Sequence, residues 1–248
     1  MYKNDEISSF YKERTASLKD IQNDKELKKK SIEWMIAADK YKYTYNFSWM
    51  GRPIIKYPAD MIVQQELMWN LRPDLIIETG IAHGGSIIFS ASMMKMMGIK
   101  GEVIGVDIDI REHNRSLIED HPMSDIIEMY EGSSIDINII KKIKEKADKH
   151  KTILVILDSC HSHEHVFNEL LLYSQFVTKN SYIILPDTFI EFFPKGYYAK
   201  NRPWDKGNNP YTALKSFLKS NDNFIIDKDL SSKACITETI DGYLKKIK

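Results

Sequence analysis

From about Leu75 to Asp187 the chain alternates short, continuous apolar runs with stretches of helical spacing. The runs are Leu75-Ile76-Ile77, Val103-Ile104-Gly105-Val106, Ile126-Ile127 with Met129-Tyr130, Ile153 to Leu157, and Tyr182 to Leu185. Residues 86–97, 114–119, 137–149 and 165–176 lie between or after them with helix-like periodicity. Strands apolar at every position are covered on both faces, so five such units predict a doubly wound, mostly parallel α/β sheet. Residues ahead of the first run are rich in Lys, Glu and aromatics, with short helical patterns and no β-branched run. There Pro58-Ala59-Asp60 opens a helix carrying Met61, Ile62, Gln65, Leu67 and Trp69, since proline in a first turn loses no hydrogen bond. The run Lys25 to Lys30 reads as a solvated helix face. Beyond Asp187, Phe193-Pro194-Lys195-Gly196 and Asn201 to Pro210 form a turn-rich, aromatic stretch suited to a lid. A helix over 212–219 and short strands near 224–226 and 234–236 follow. The expected organisation is a helical cover over 1–70 and one ligand-binding unit over 71–248.

Composition narrows the class. With 248 residues, 43% hydrophobic, the chain has enough apolar material for one large core. Lys+Arg and Asp+Glu both number 35, so no electrostatic pull towards nucleic acid is expected. The cysteines, Cys160 and Cys235, form no disulfide framework, which suits a reducing compartment. No apolar stretch approaches a membrane span, and the polar N-terminus is no signal peptide, so a cytoplasmic location is expected.

In an open parallel sheet, ligands bind beyond the carboxyl ends of the strands. The first apolar run ends Glu78-Thr79-Gly80-Ile81-Ala82-His83-Gly84-Gly85-Ser86 and enters a helix, whose start offers free N–H groups. The glycines are out of dinucleotide register, and Glu78 would repel a pyrophosphate. A carboxylate there suits the ammonium of a methionine moiety instead, with Gly80, His83, Gly84, Gly85 and Ser86 around the donor; the alternative is a tight turn without a ligand. The second run ends Asp107-Ile108-Asp109, and Asp107 is placed to accept from ribose hydroxyls, with Asp109 turned to the surface. Ser133 and Ser134, after the third run, border an adenine. Asp158 and Asp187 follow the fourth and fifth runs, and two carboxylates meeting at one rim call for a bridging cation such as magnesium. His161 is then suited to take a proton from the acceptor hydroxyl. His163 and His165 either serve the site or merely line the start of a helix. Cys160, His161, His163 and His165 match no standard zinc spacing, and an iron facial triad belongs with β-barrels rather than a parallel sheet.

Taken together, the motifs ETGIAHGGS (78–86), GVDIDIREHNR (105–115), EGSSID (131–136), LDSCHSHEHV (157–166) and RPWDKGNNPYTA (202–213) resemble the cephalosporin hydroxylase family over roughly residues 47–227. Trp49 to Pro53 and Pro58-Ala59-Asp60 share the resemblance. It implies a class I methyltransferase fold with a seven-stranded sheet, one of the last two strands antiparallel. It also implies magnesium-dependent O-methylation by S-adenosylmethionine, as in cephamycin-pathway and rhamnosyl O-methyltransferases. Residue by residue, Glu78, Gly80 and Asp107 match donor positions, Asp158 and Asp187 match metal positions, and His161 sits in the spacing of a general base. Family members can carry an acidic pair where Pro186-Asp187 stands here, which removes one ligand that Thr188 or Glu191 could replace. His163, Glu191, Trp204 and Asn208 are assigned to the lid and acceptor side.

The expected reaction is transfer of a methyl group to a hydroxyl of a sugar or other small molecule, with no nucleic acid or membrane span involved and a homo-oligomer possible. Two rival readings are an NAD-dependent oxidoreductase and a catalytically inert binding subunit of a biosynthetic complex.

Overall fold

The computed structural model describes residues 5–248. Two helices, α1 (Asp5–Asn23) and α2 (Lys25–Asp39), come first, followed by a hairpin of β1 (Phe47–Trp49) and β2 (Arg52–Ile54). Then run α3 (Pro58–Leu71), β3 (Leu75–Thr79), α4 (Gly85–Met96), β4 (Glu102–Asp107), α5 (Glu112–Glu119), β5 (Ile127–Glu131), α6 (Ile137–Ala147), β6 (Ile153–Leu157), α7 (His163–Tyr173) and β7 (Tyr182–Ile184). The chain closes with α8 (Pro210–Ser220), β8 (Phe224–Ile226), α9 (Lys228–Lys233) and β9 (Tyr243–Lys246).

The sheet has seven strands in the order β5-β4-β3-β6-β7-β9-β8. The pairs β5-β4, β4-β3, β3-β6 and β6-β7 are parallel, and β9 runs antiparallel to both its neighbours. The doubly wound expectation therefore holds. The central strands alternate their side chains between two cores. Ile76, Ile156 and Ile184 face Leu67, Met68, Ile87 and Ile88. Ile77, Val155, Leu157 and Ile183 face Ile143, Leu170, Tyr173 and Phe217. The chain order reverses between β3 and β6, so the crevice opens where their carboxyl ends part.

Four details depart from the sequence reading. The last strand is Tyr243–Lys246, not 234–236. Residues 237–239 are instead held by Asp60: its carboxylate accepts from the Thr237 hydroxyl and, at 2.9 Å, from the Glu238 backbone N–H. The short helix α9 was not foreseen. Nor was the β1-β2 hairpin, whose connecting residues Met50 and Gly51 both have positive φ, the twist that two-residue hairpins favour. On α3, Val63 and Met68 are buried while Ile62 and Trp69 are exposed, because the helix packs through a different stripe. Lys25, Lys28, Lys29 and Lys30 are solvated, as expected, with Lys30 and Lys29 paired to Glu26 and Glu33.

A third, smaller core joins the helical N-terminus to the segment after β7. Met35 of α2 packs with Tyr57, Phe189, Ile190 and Phe193, flanked by Tyr197, Tyr198 and Trp204. The Tyr197 hydroxyl donates to Asp39 at 2.9 Å. No helix among the described residues is long and apolar enough to cross a membrane.

Candidate active site

At the end of β3 the chain turns sharply, and Gly80 shows why glycine is required. Its φ is +89°, and a Cβ there would lie 2.0 Å from the Asp158 carbonyl oxygen. Gly85 answers a different need: a Cβ would lie 2.2 Å from the Pro53 carbonyl oxygen, so its absence lets the hairpin dock on α4. The intervening loop is braced from three sides. Asp107 Oδ2 accepts from the Ile81 and Ala82 N–H groups at 2.7 and 3.1 Å. Buried Arg52 donates twice to the His83 carbonyl, at 2.9 and 2.6 Å, and once to Asn114 Oδ1 at 2.9 Å. Asn114 Nδ2 in turn donates to the Ala82 carbonyl at 3.0 Å. The loop is thus set before any ligand arrives.

That loop walls a cavity of about 300 Å³ shared with β2, the strand ends and the segment after β7. Glu78, Gly80, His83, Gly85, Ser86, Asp107, Asp158, His161, Asp187 and Trp204 all line it. Gly84 does not; it packs against Ile118. Ser133 and Ser134 border an adjoining cavity of about 340 Å³, which shares Gly80, Asp107 and Ser159 with the first and is also lined by Ile108 and His165. His165 Nε2 is 3.0 Å from Ser134 Oγ and 3.2 Å from Ser159 Oγ, so it belongs to this second chamber. Asp109 is exposed.

Glu78 is fully buried, and neither carboxylate oxygen has a hydrogen-bond partner among the described residues. Burial pushes its carboxyl up to about 7, against the opposing pulls of the Lys56 ammonium and of the nearby Ser86 hydroxyl, which stops short of a well-formed hydrogen bond. An unpaired buried acid beside a ligand cavity is an acceptor awaiting a donor.

Three groups converge at the rim. One ligand atom each from Asp158, His161 and Asp187 lie within 4.8 Å of one another. His161 Nε2 stands 2.9 Å from Asp187 Oδ2. Burial alone would lower the His161 pKa, but the Asp187 and Asp158 carboxylates outweigh it and hold the imidazole at about 9. Asp187 itself has φ +57°, a strained conformation for a non-glycine residue, and Trp204 meets the His161 ring edge-on at 4.7 Å.

The remaining residues assigned from sequence are drawn elsewhere. The Thr188 hydroxyl donates to the Glu238 carbonyl at 3.2 Å, and Thr188 does not line the cavity. Glu191 accepts from the Gly207 N–H and Asn209 Nδ2 at 2.9 and 2.7 Å, bracing the segment from within. Asn208 Oδ1 caps the His163 N–H at 2.9 Å, and His163 Nδ1 lies 2.8 Å from Thr212 Oγ1, latching α7 to α8. Sequence reasoning missed Lys56, Glu238 and Arg52. Lys56 and Glu238 are buried in the wall, and only Arg52 stood within a motif singled out from the sequence.

Comparison with known proteins settles the family. The model for rhamnosyl O-methyltransferase/CmcI matches residues 41–247, beyond both ends of the resemblance seen in the motifs. The chain belongs to that family. Its sequence is 31% identical over 189 residues to a rhamnosyl O-methyltransferase of Mycobacterium leprae, covering 73% of this chain and 77% of the relative. A rhamnosyl O-methyltransferase of Mycobacterium bovis is 28% identical over 219 residues, 84% of each chain. Among solved structures, a magnesium and S-adenosylmethionine complex of CmcI superposes with a TM-score of 0.60 at 21% identity, covering 82% of this chain and 78% of that one. An O-methyltransferase from Bacillus cereus in complex with SAH gives 0.50 at 16% identity over 79% and 81%. These structures establish the class I fold. Membership of the rhamnosyl O-methyltransferase/CmcI family makes the chain an O-methyltransferase, and neither the oxidoreductase nor the inert-subunit reading finds support.

Proposed function

We propose that this chain moves the methyl group of S-adenosylmethionine to a hydroxyl of a sugar, rhamnose-like by analogy with its named relatives, with a divalent cation such as magnesium at the rim. The observation that carries this reading is that the Asp158–His161–Asp187 cluster and the unpaired Glu78 carboxylate face one cavity. Glu78 receives the donor's ammonium. Asp107 keeps Oδ1 for the ribose, although that oxygen also takes the Asp109 N–H at 3.2 Å. The Ser133–Ser134 chamber with Ile108 takes the adenine.

The carboxylates of Asp158 and Asp187 fit a hard cation, being oxygen donors within reach of one another in a field where acids outnumber bases. Such an ion, when bound, makes an acceptor hydroxyl more acidic. The chain's own residues do the rest. His161 accepts the hydroxyl proton on a ring nitrogen, and Asp187, 2.9 Å from Nε2, stabilises the imidazolium formed. In the ligand-free protein His161 keeps its proton at neutral pH; positive charge brought beside it loosens that hold. Trp204, Tyr198 and Phe189 wall the acceptor side and exclude water. We place the reaction in the cytoplasm, in keeping with two free cysteines, and treat residues 5–70 as a cover over the site.

A test follows from the Glu78 titration. Its raised pKa means that below pH 7 the free protein holds a proton there, and an ammonium has first to displace it. The sign is therefore weaker donor binding as pH falls, with affinity at pH 6 roughly eightfold below that at pH 7.5. Calorimetry in buffers of different ionisation enthalpy should show proton release from the protein at pH 6 and far less at 7.5. A flat affinity over that range would remove Glu78 from donor binding.

A further inference from the structure

Lys56, just beyond β2, is 3% exposed, and its Nζ lies between two carboxylates at 3.2 Å from Asp158 Oδ2 and 3.1 Å from Glu238 Oε1. Glu238 is equally enclosed and cannot drift, because Asp60 on the first turn of α3 holds its backbone N–H. The two carboxylates that bracket the enclosed Nζ pair with it as an ammonium. Lys56 is therefore a resident monovalent cation, tethered by the chain and bonded to one of the two acids read here as metal ligands. A buried ion pair is held strongly only while both partners stay, and a second positive charge a few ångströms away is repelled.

We propose that Lys56 sets the affinity of this site for a divalent cation, competing for Asp158 in the free protein and leaning on Glu238 when the ion is in place. The inference rests on the reading of Asp158 and Asp187 as metal ligands. Glu238 is the acceptor left to the ammonium once Asp158 turns to the ion. The site then loads only weakly, and two substitutions should push it in opposite directions. Removing the resident cation should tighten binding; removing its alternative acceptor should weaken it. A purely structural role for Lys56 produces no gain when the cation is removed.

The experiment is calorimetric titration of magnesium, repeated with manganese by electron paramagnetic resonance, into the whole protein at pH 8. Wild type, Lys56→Met, Lys56→Arg, Glu238→Gln and Asp187→Asn are compared, each checked for folding by its melting curve. Lys56→Met should bind about tenfold or more tightly than wild type, Lys56→Arg should stay near wild type, and Glu238→Gln should weaken binding severalfold. Equal or weaker binding by folded Lys56→Met overturns the inference. If Lys56→Met does not fold, Glu238→Gln decides, and unchanged or tighter binding there overturns it. Loss of binding in Asp187→Asn shows that the metal reading stands apart from the Lys56 result. Binding that survives in Asp187→Asn, or is absent from every variant, removes that reading and this inference with it.

Discussion

Gly80→Ala is expected to cost about 3–5 kcal/mol of stability and to abolish donor binding in whatever fraction still folds. Two effects add. The backbone at position 80 has φ +89°, which a Cβ disfavours, and the added carbon would sit 2.0 Å from the Asp158 carbonyl oxygen and 2.6 Å from its carbonyl carbon. Neither of those atoms belongs to a flexible side chain, so relief requires β3 and the start of the 158–162 loop to separate. That is the switch point of the sheet, and separation there would carry Asp158 away from Asp187 and Lys56. Chemical denaturation should show the loss as a lowered midpoint. A midpoint near wild type would mean that the two strand ends are not in such close contact.

His161→Ala should reduce turnover by roughly 10²–10⁴-fold while leaving the affinity for S-adenosylmethionine within about twofold. The imidazole reaches Asp187 at 2.9 Å and Trp204 at 4.7 Å, and neither Glu78, Ser133 nor Ser134 is among its partners. Its removal therefore deletes a proton acceptor and unpairs Asp187 without touching the proposed donor contacts. Methyl transfer to a panel of rhamnosides, alongside donor titration, separates the two effects. If donor affinity collapses while the fold survives, the base assignment is wrong.

How much of this could be read from the chain depended on how local each signal was. The five parallel strands announced themselves because burial on both faces requires apolar residues at successive positions, as in Ile153 to Leu157. The final strand did not, since Tyr243-Leu244-Lys245-Lys246 offers only two apolar residues before its lysines. The acids at the strand ends were visible because topology alone brings Asp158 and Asp187 to one rim. Lys56 was invisible for the opposite reason. A lysine in a polar stretch reads as solvated, and what permits its burial is Glu238, 182 positions away. Glu191, His163 and Asn208 show a further limit. Glu191 and Asn208 lie in the segment after β7 that looked like a lid and His163 opens α7, and the structure spends their polar atoms on holding that segment and α7 in place. Type and position suggested chemistry; partners decide whether a group is free to perform it.

The methyl donor is the central claim, and its most direct test is calorimetric titration of the purified protein with S-adenosylmethionine and, separately, with NAD, each with and without magnesium. The structure of the cavity predicts micromolar binding of S-adenosylmethionine, lost in Glu78→Gln, and no binding of NAD. Binding of NAD alone, or of neither compound, would contradict it.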